Sequence, residues 1–184
     1  MSAHEASLSP SGWVVRFSAL VADGARVLDV ACGQGRHSRW FAARGCRVVA
    51  VDRDMAALDG LASVAGVTPV RADLETHPWP FDADKFDAIV VTHYLHRALF
   101  PNLLHVLADD GVLLYETFAR GNEAYGKPSN PDFLLTDGEL LTIVGRSLIV
   151  VAFEQGRIES APPTVMQRLT AVGRRRPWPP DLPI

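Results

Sequence analysis

The most informative segment of this chain is Val27-Leu28-Asp29-Val30-Ala31-Cys32-Gly33-Gln34-Gly35-Arg36-His37-Ser38. Residues 26–31 are mostly apolar and β-branched, as in a buried parallel strand, and a helical spacing of apolar residues follows at Trp40, Phe41 and Ala43. The two glycines between them permit positive φ and let a ligand approach the backbone closely. A strand, a glycine turn and a helix N-terminus in this order predict the nucleotide-binding corner of an α/β sheet.

Asp29 distinguishes between the ligands that such a corner holds. A carboxylate four residues before the first glycine disfavours a pyrophosphate and favours a ligand that carries positive charge. S-adenosylmethionine meets this condition, because it combines an adenosine with a sulfonium and an ammonium group and has no phosphate. NAD meets it less well, since its fingerprint requires a third glycine where this chain has Ser38.

The segment Leu28-Asp29-Val30-Ala31-Cys32-Gly33-Gln34-Gly35 resembles the first motif of the class I S-adenosylmethionine-dependent methyltransferases. Over most of its length the chain is similar to small bacterial members, including the tellurite-resistance type, although members usually have glycine at the position of Ala31. The resemblance implies an α/β, Rossmann-like fold with a seven-stranded, mostly parallel sheet. Two closing strands without an intervening helix, predicted at 148–153 and 165–172, match the C-terminal antiparallel hairpin of that sheet.

Length and charge exclude several other classes of protein. A chain of 184 residues predicts one domain, at 1–173, with an Arg/Pro-rich tail at 174–184. The net charge of −3 speaks against a nucleic-acid partner. An N-terminus that includes His4 and Glu5 has no signal peptide pattern, and no apolar run suggests a membrane segment. Two cysteines indicate reduced thiols in a cytoplasm, and the sequence does not indicate an oligomeric state.

Acidic residues follow two further predicted strands. Asp52 comes after residues 46–51, about 20 residues beyond the glycine turn, where an acid commonly binds a ribose diol. The alternative is that Asp52 caps the helix from Met55. Because Asp54 already offers that cap, the two acids together suggest Asp52 on the ribose and Asp54 on the helix. Asp73 follows residues 67–72, and the resemblance implies that it binds the adenine amino group; a turn is the alternative. Because parallel strands end at one edge of the sheet, these acids should meet in one crevice.

The motifs and the resemblance together predict a complete set of cofactor contacts. Gly33 and Gly35 would admit the methionine part, Asp29 would help to place its ammonium, and Arg36 would pair with its carboxylate. The full predicted set is Asp29, Ala31, Gly33, Gly35, Arg36, Asp52, Arg53, Asp73, Leu74 and Thr92.

The residues after the fourth predicted strand, 86–92, are the candidates for acid–base chemistry. In most methyltransferases this position lies beside the methyl donor, and here it carries His93, Tyr94 and His96. Histidine is the natural proton acceptor near neutral pH. In the alternative, the histidines only solvate the loop. The two histidines are three apart, but no third ligand is evident, so no metal is expected.

Two segments are candidates to cover the acceptor. A helix predicted at 9–22 either covers the crevice or only packs on the sheet. Residues 119–136 have little periodicity and follow the fifth strand, which is typical of a functional loop. Its Tyr125 and Phe133 would either line the acceptor site or anchor the loop.

The sequence therefore predicts methyl transfer from S-adenosylmethionine to a small-molecule acceptor that it does not identify. A non-catalytic module that binds the cofactor or its product, and a nicotinamide oxidoreductase, are the alternatives.

Overall fold

The computed structural model describes residues 9–182, and its centre is a seven-stranded sheet with strand order β3-β2-β1-β4-β5-β7-β6. The strands are β1 (Arg26–Val30), β2 (Arg47–Asp52), β3 (Val67–Arg71), β4 (Phe86–Thr92), β5 (Leu107–Phe118), β6 (Leu148–Ile158) and β7 (Thr164–Gly173). The helices are α1 (Gly12–Phe17), α2 (Arg36–Ala43), α3 (Met55–Asp59), α4 (Phe100–Val106) and α5 (Glu139–Val144). Short 3-10 helices lie at Ser18–Leu20, Arg97–Leu99, Asn122–Ala124 and Pro131–Phe133.

Strand direction confirms the fold predicted from the sequence. The pairs from β3 through to β5 are parallel, and β7 is antiparallel to both β5 and β6. The chain winds outward from β1 to β3 on one side and continues from β4 on the other. The carboxyl ends of β1 and β4 therefore lie at the point where the winding reverses, which is where open α/β sheets bind ligands.

The sheet has an apolar core on each face, because successive side chains of a strand point to opposite sides. Trp13 and Phe17 of α1 pack against one face with Val27 and Val90. The other face carries a larger cluster that includes Leu28, Val91, Leu113, Tyr115 and Leu169. This alternation sends Asp29 to the side of α1 and α2.

Several predicted boundaries differ from the structure. The helix predicted at 9–22 is a shorter α1, continued by the 3-10 helix at Ser18–Leu20. From the sequence, a helix over Leu99 to Leu107 is predicted to end at Asp109-Asp110-Gly111, because glycine suits the turn after a helix. This prediction is wrong, since α4 ends at Val106 and these residues lie within β5. The pairing moves from Phe86–Leu107 directly to Ala88–Val112, so residues 108–111 lie opposite the single residue Asp87 as an irregularity in the register of β4 and β5. Strand β6 also extends beyond its predicted end, to Ile158.

The two ends of the domain are described in part. His4 and Glu5 lie outside the described residues, and within 9–182 no helix is long and apolar enough to cross a bilayer. At the other end, the backbone N–H of Arg175 donates to Asp109 O at 3.0 Å, and the guanidinium of Arg176 donates to Leu20 O at 2.5 Å. The first residues after 173 thus contact the domain, while the division into domain and tail stays a prediction.

Candidate functional site

The turn after β1 has the left-handed backbone that its glycines permit. The φ angles are 53° at Gly33 and 73° at Gly35, the residue that precedes α2. A Cβ at Gly35 would lie 2.4 Å from the side chain of the buried Leu61, which would have to move to admit it. Ala31 has a φ of 51°, a conformation that costs about 1 kcal/mol for a residue with a Cβ. That strain gives a physical reason for the glycine that class I methyltransferases usually have at this position.

Asp29 lies behind this turn rather than on the surface of the crevice. The residue is 1% exposed, and its Oδ2 accepts a hydrogen bond from Ser38 Oγ at 2.6 Å. The backbone N–H of Ser38, in the first turn of α2, also donates to the carboxyl group. Burial raises the pKa of Asp29 to about 6, against the opposing effect of these hydrogen bonds and of Arg36. The carboxylate would thus act on a ligand ammonium through its charge, and that role stays a prediction.

Asp52 accepts a hydrogen bond from the glycine turn, whereas Asp54 caps the next helix. Asp52 Oδ2 accepts from Gly33 N at 2.8 Å, and its Oδ1 accepts from Asp54 N at 2.9 Å. A carboxylate has about four acceptor positions, so Asp52 can still accept from two ligand hydroxyls. Asp54 Oδ1 accepts from Ala56 N at 2.9 Å and Ala57 N at 3.4 Å, which confirms the predicted cap of α3. The ribose role of Asp52 stays a prediction.

A cavity of about 230 Å³, which we call the β2–β3 cavity, opens beside Asp52. Its lining residues are Ala31, Asp52, Arg53, Ala72, Asp73, Leu74, Glu75 and Tyr94. Asp73 Oδ1 accepts from Glu75 N at 3.0 Å, so the residue serves a turn and lines the cavity as well. This bond and a second one from Thr76 lower the pKa of Asp73, which keeps the carboxyl group ionised. The structure therefore brings five predicted cofactor residues together around one space.

Arg36 and Thr92 lie on the other side of the glycine turn. Arg36 Nη2 is 3.5 Å from His93 Nδ1, and among residues 9–182 Arg36 forms no ion pair with a carboxylate. Its charge is available to an anionic group of a ligand. Thr92 Oγ1, at the end of β4, is 3.4 Å from His37 Nδ1.

His37 is a buried connector that the sequence did not indicate. It is 1% exposed, and its Nε2 accepts a hydrogen bond from Ser11 N at 3.1 Å. Since Nε2 accepts, the ring proton resides on Nδ1 and is donated to Thr92 Oγ1. Burial, with a smaller contribution from Arg36, lowers the pKa of His37 to about 3, so the ring is neutral. His37 therefore connects the start of α1 to the end of β4. The only feature of the sequence that could have indicated this role of His37 is its position in the first turn of the helix after the glycines.

The structure brings His93 and Tyr94 together but not His96. His93 has a φ of 54°, its N–H donates to Glu116 O at 2.9 Å, and its ring stacks on Phe118 with centroids 5.0 Å apart. Although the residue as a whole is exposed, desolvation of the ring, together with Arg36, lowers its pKa to about 4. Desolvation and the neighbouring Glu75 raise the pKa of Tyr94, whose phenol therefore stays protonated.

Two further cavities meet at the stacked rings of His93 and Phe118. The aromatic cavity, of about 210 Å³, is lined by Glu75, His93, Tyr94, Leu95, Thr117, Phe118, Pro128 and Phe133. The charged cavity, of about 260 Å³, is lined by Ser11, Gly12, Arg36, His93, Glu116, Phe118, Ile158, Ser160, Thr164, Met166 and Arg168. Glu116 is 2% exposed and pairs with Arg168 across β5 and β7, with Oε2 and Nε 3.3 Å apart. Because Glu116 and Arg168 lie in two separate strands, the sequence does not indicate that they are in contact.

His96 lies apart from these spaces. It precedes the 3-10 helix at Arg97–Leu99 and is absent from the described walls of the β2–β3, aromatic and charged cavities. Among residues 9–182, no group of three or more His, Cys, Asp or Glu side chains is arranged to hold a metal ion.

The segment 119–136 is more ordered than its sequence predicts. A bridge between Ala119 and Leu135 closes its base, and two 3-10 helices lie within it. The buried Asn122 donates through Nδ2 to Pro128 O at 3.1 Å and accepts from Val165 N at 3.1 Å. Phe133 lines the aromatic cavity, whereas Tyr125 does not. Whether the segment acts as a lid stays a prediction.

Comparison with known proteins agrees with this geometry. Residues 27–111 match a family model described as a methyltransferase domain. The demethylmenaquinone methyltransferase of Clavibacter sepedonicus is 34% identical over 128 residues, which cover 60% of this chain and 51% of that relative. This chain thus spans about half the length of the curated relative.

Solved structures extend the similarity beyond the matched residues. TehB from Haemophilus influenzae has a TM-score of 0.76 at 18% identity, over 90% of this chain and 63% of TehB. A TehB-like S-adenosylmethionine-dependent methyltransferase from Corynebacterium glutamicum has a TM-score of 0.65 at 20% identity, over 93% of each chain. These findings confirm the predicted resemblance to class I methyltransferases and the predicted fold.

Proposed function

We propose that this chain binds S-adenosylmethionine at the carboxyl ends of β1 to β4 and transfers its methyl group to a small-molecule acceptor. The observation that carries the proposal is the hydrogen bond from Gly33 N to Asp52, which joins the glycine turn to the wall of the β2–β3 cavity. The two free, buried cysteines agree with a reducing, cytoplasmic location.

The residues of the crevice fit this cofactor in charge and in hydrogen bonding. Asp52 and Asp73 offer acceptors to the hydroxyl and amino donors of an adenosine, and Arg36 offers donors to a carboxylate. Asp29 adds negative charge behind the turn. A pyrophosphate would lie near three carboxylates, which disfavours NAD in the same place.

When bound, S-adenosylmethionine supplies a methyl group on a positively charged sulfur, which is already activated for displacement. The task of the chain is then to hold and orient both reactants and to exclude water. The ring of Tyr94 offers a negative face to a nearby cation.

An acceptor that loses a proton needs a hydrogen-bond acceptor beside it, and we propose His93 for this role. Its low pKa keeps the imidazole neutral near pH 7, so a ring nitrogen is free of a proton. Tyr94, as a protonated phenol, is the proposed donor. His96 stays in the proposed catalytic set on the sequence argument alone.

Calorimetry with S-adenosylmethionine, S-adenosylhomocysteine and NAD tests the cofactor. We expect both sulfur ligands to bind and NAD to give no signal; binding of NAD alone would overturn the proposal. Incubation of acceptor pools with methyl-labelled cofactor then tests the reaction. Cofactor binding without transfer to any pool would indicate a non-catalytic binding module instead.

A further inference from the structure

We infer that the aromatic cavity is the acceptor site and that the acceptor is a small, ring-bearing molecule without negative charge, methylated at a hydroxyl or amino group. The inference rests on the proposed function. It assigns to the acceptor a space that no part of the cofactor argument uses.

The aromatic cavity adjoins the β2–β3 cavity. Glu75 and Tyr94 line both spaces, so a molecule in either one reaches the same two side chains. His93, the proposed hydrogen-bond acceptor, also lines the aromatic cavity. An acceptor here would therefore lie between the cofactor site and the residue proposed to accept a hydrogen bond from it.

The size and the walls of the aromatic cavity favour a ring. A dry cavity of about 150 Å³ is enough to hold benzene, so a cavity of about 210 Å³ accommodates one ring with substituents. Phe118, Phe133, Tyr94 and His93 provide planar side chains against which a ring packs. Phe133 is 50% exposed, so a bound ring would cover apolar surface that now faces water.

Phe133 is held in place on both sides by Arg97. The guanidinium donates through Nη1 to Asp132 O at 2.7 Å and through Nη2 to Leu134 O at 2.9 Å. Arg97 is itself fixed by Glu139, with Nε and Oε1 2.6 Å apart and Nη2 and Oε2 3.0 Å apart. The backbone around Phe133 is thus preorganised, which lowers the entropic cost of binding a ligand against this ring.

A charged side chain in the walls of the aromatic cavity disfavours an anionic acceptor there. The described walls of the aromatic cavity include the carboxylate of Glu75 and no lysine or arginine. Both Arg36 and Arg168 line the charged cavity, beyond the stacked rings of His93 and Phe118. An anion would therefore bind in the charged cavity, and an uncharged ring in the aromatic one.

The test compares Phe133→Ala with Tyr125→Ala in the full chain. Both residues are exposed aromatics of the same segment, at 50% and 39%, and only Phe133 lines the aromatic cavity. Binding of 2-naphthol, phenol and malonate to the complex with S-adenosylhomocysteine is followed by ligand-detected NMR, and S-adenosylhomocysteine itself by calorimetry. We expect 2-naphthol to bind about tenfold more weakly to Phe133→Ala, as for the loss of a partly buried ring. Tyr125→Ala should change its affinity less than twofold.

Each other outcome has a definite meaning. Equal affinity of the two variants for 2-naphthol, or no binding of either ring compound, would overturn the inference. Binding of malonate that is lost in Arg168→Gln would move the acceptor site to the charged cavity and overturn it as well. If S-adenosylhomocysteine does not bind to the unmodified chain, the proposed function fails; if it binds and the rings do not, only the acceptor site fails.

Discussion

Replacing Asp29 by asparagine should make the protein more stable at neutral pH. The carboxyl group is buried, and its pKa is raised from 3.8 in the unfolded chain to about 6 in the folded protein. The folded state therefore binds this proton more tightly, so stability is highest below pH 3.8 and falls as the pH rises through about 6. A pKa difference of about two units corresponds to about 3 kcal/mol of unfolding free energy, at ~1.4 kcal/mol per unit.

Asparagine avoids this cost because it does not ionise, and its carbonyl oxygen can still accept from Ser38 Oγ. Urea unfolding of both proteins between pH 4 and pH 8 measures the difference. We expect Asp29→Asn to be more stable by up to about 3 kcal/mol at pH 7.5 and nearly equal at pH 4. The exposed Asp59 provides a control, and Asp59→Asn should follow the unmodified protein at every pH. A difference that is independent of pH, or an Asp29→Asn protein that is less stable at pH 7.5, would refute this reasoning.

The same variant tests why the chain retains a destabilising charge. If the carboxylate acts on the cationic cofactor, Asp29→Asn should bind S-adenosylmethionine several-fold more weakly in calorimetry, despite its higher stability. Unchanged affinity would leave Asp29 with only its structural role at the N-terminus of α2.

Five further substitutions test other parts of the site. Asp54→Ala should lower the unfolding free energy in urea by about 1 kcal/mol and leave S-adenosylhomocysteine affinity unchanged, whereas Asp52→Ala should weaken that affinity by about 1–3 kcal/mol in calorimetry. Equal affinity losses in the two variants would contradict the division of roles. Gly35→Ala, where the new Cβ meets a neighbouring side chain, should cost about 2 kcal/mol more in unfolding free energy than Gly33→Ala, where space is open and only φ is strained. Asparagine tolerates a left-handed backbone, so His93→Asn should retain cofactor binding. Its rate of methyl transfer from labelled cofactor should be about 100-fold lower. An unchanged rate would exclude a catalytic role for His93.

Features that depend on neighbours along the chain could be predicted from the order of the residues alone. The strand from residue 26, the turn at Gly33 and Gly35 and the cap at Asp54 were all predicted, because period, positive φ and capping are local properties. The resemblance then supplied the sheet and its C-terminal hairpin. The boundary errors have a tertiary cause: Asp109 to Gly111 look like a helix end, but pairing of β5 with β4 draws them into the strand as an irregularity in its register.

The identity of the polar groups that are buried together became evident from the packing of the folded chain. Asp29 faces Ser38 because β1 and α2 pack on one side, and His37 joins Ser11 to Thr92 across 26 and 55 residues of chain. Glu116 meets Arg168 only through the register of β5 and β7. Such contacts depend on the packing of distant elements and on the loss of water, neither of which leaves a periodic trace in the sequence.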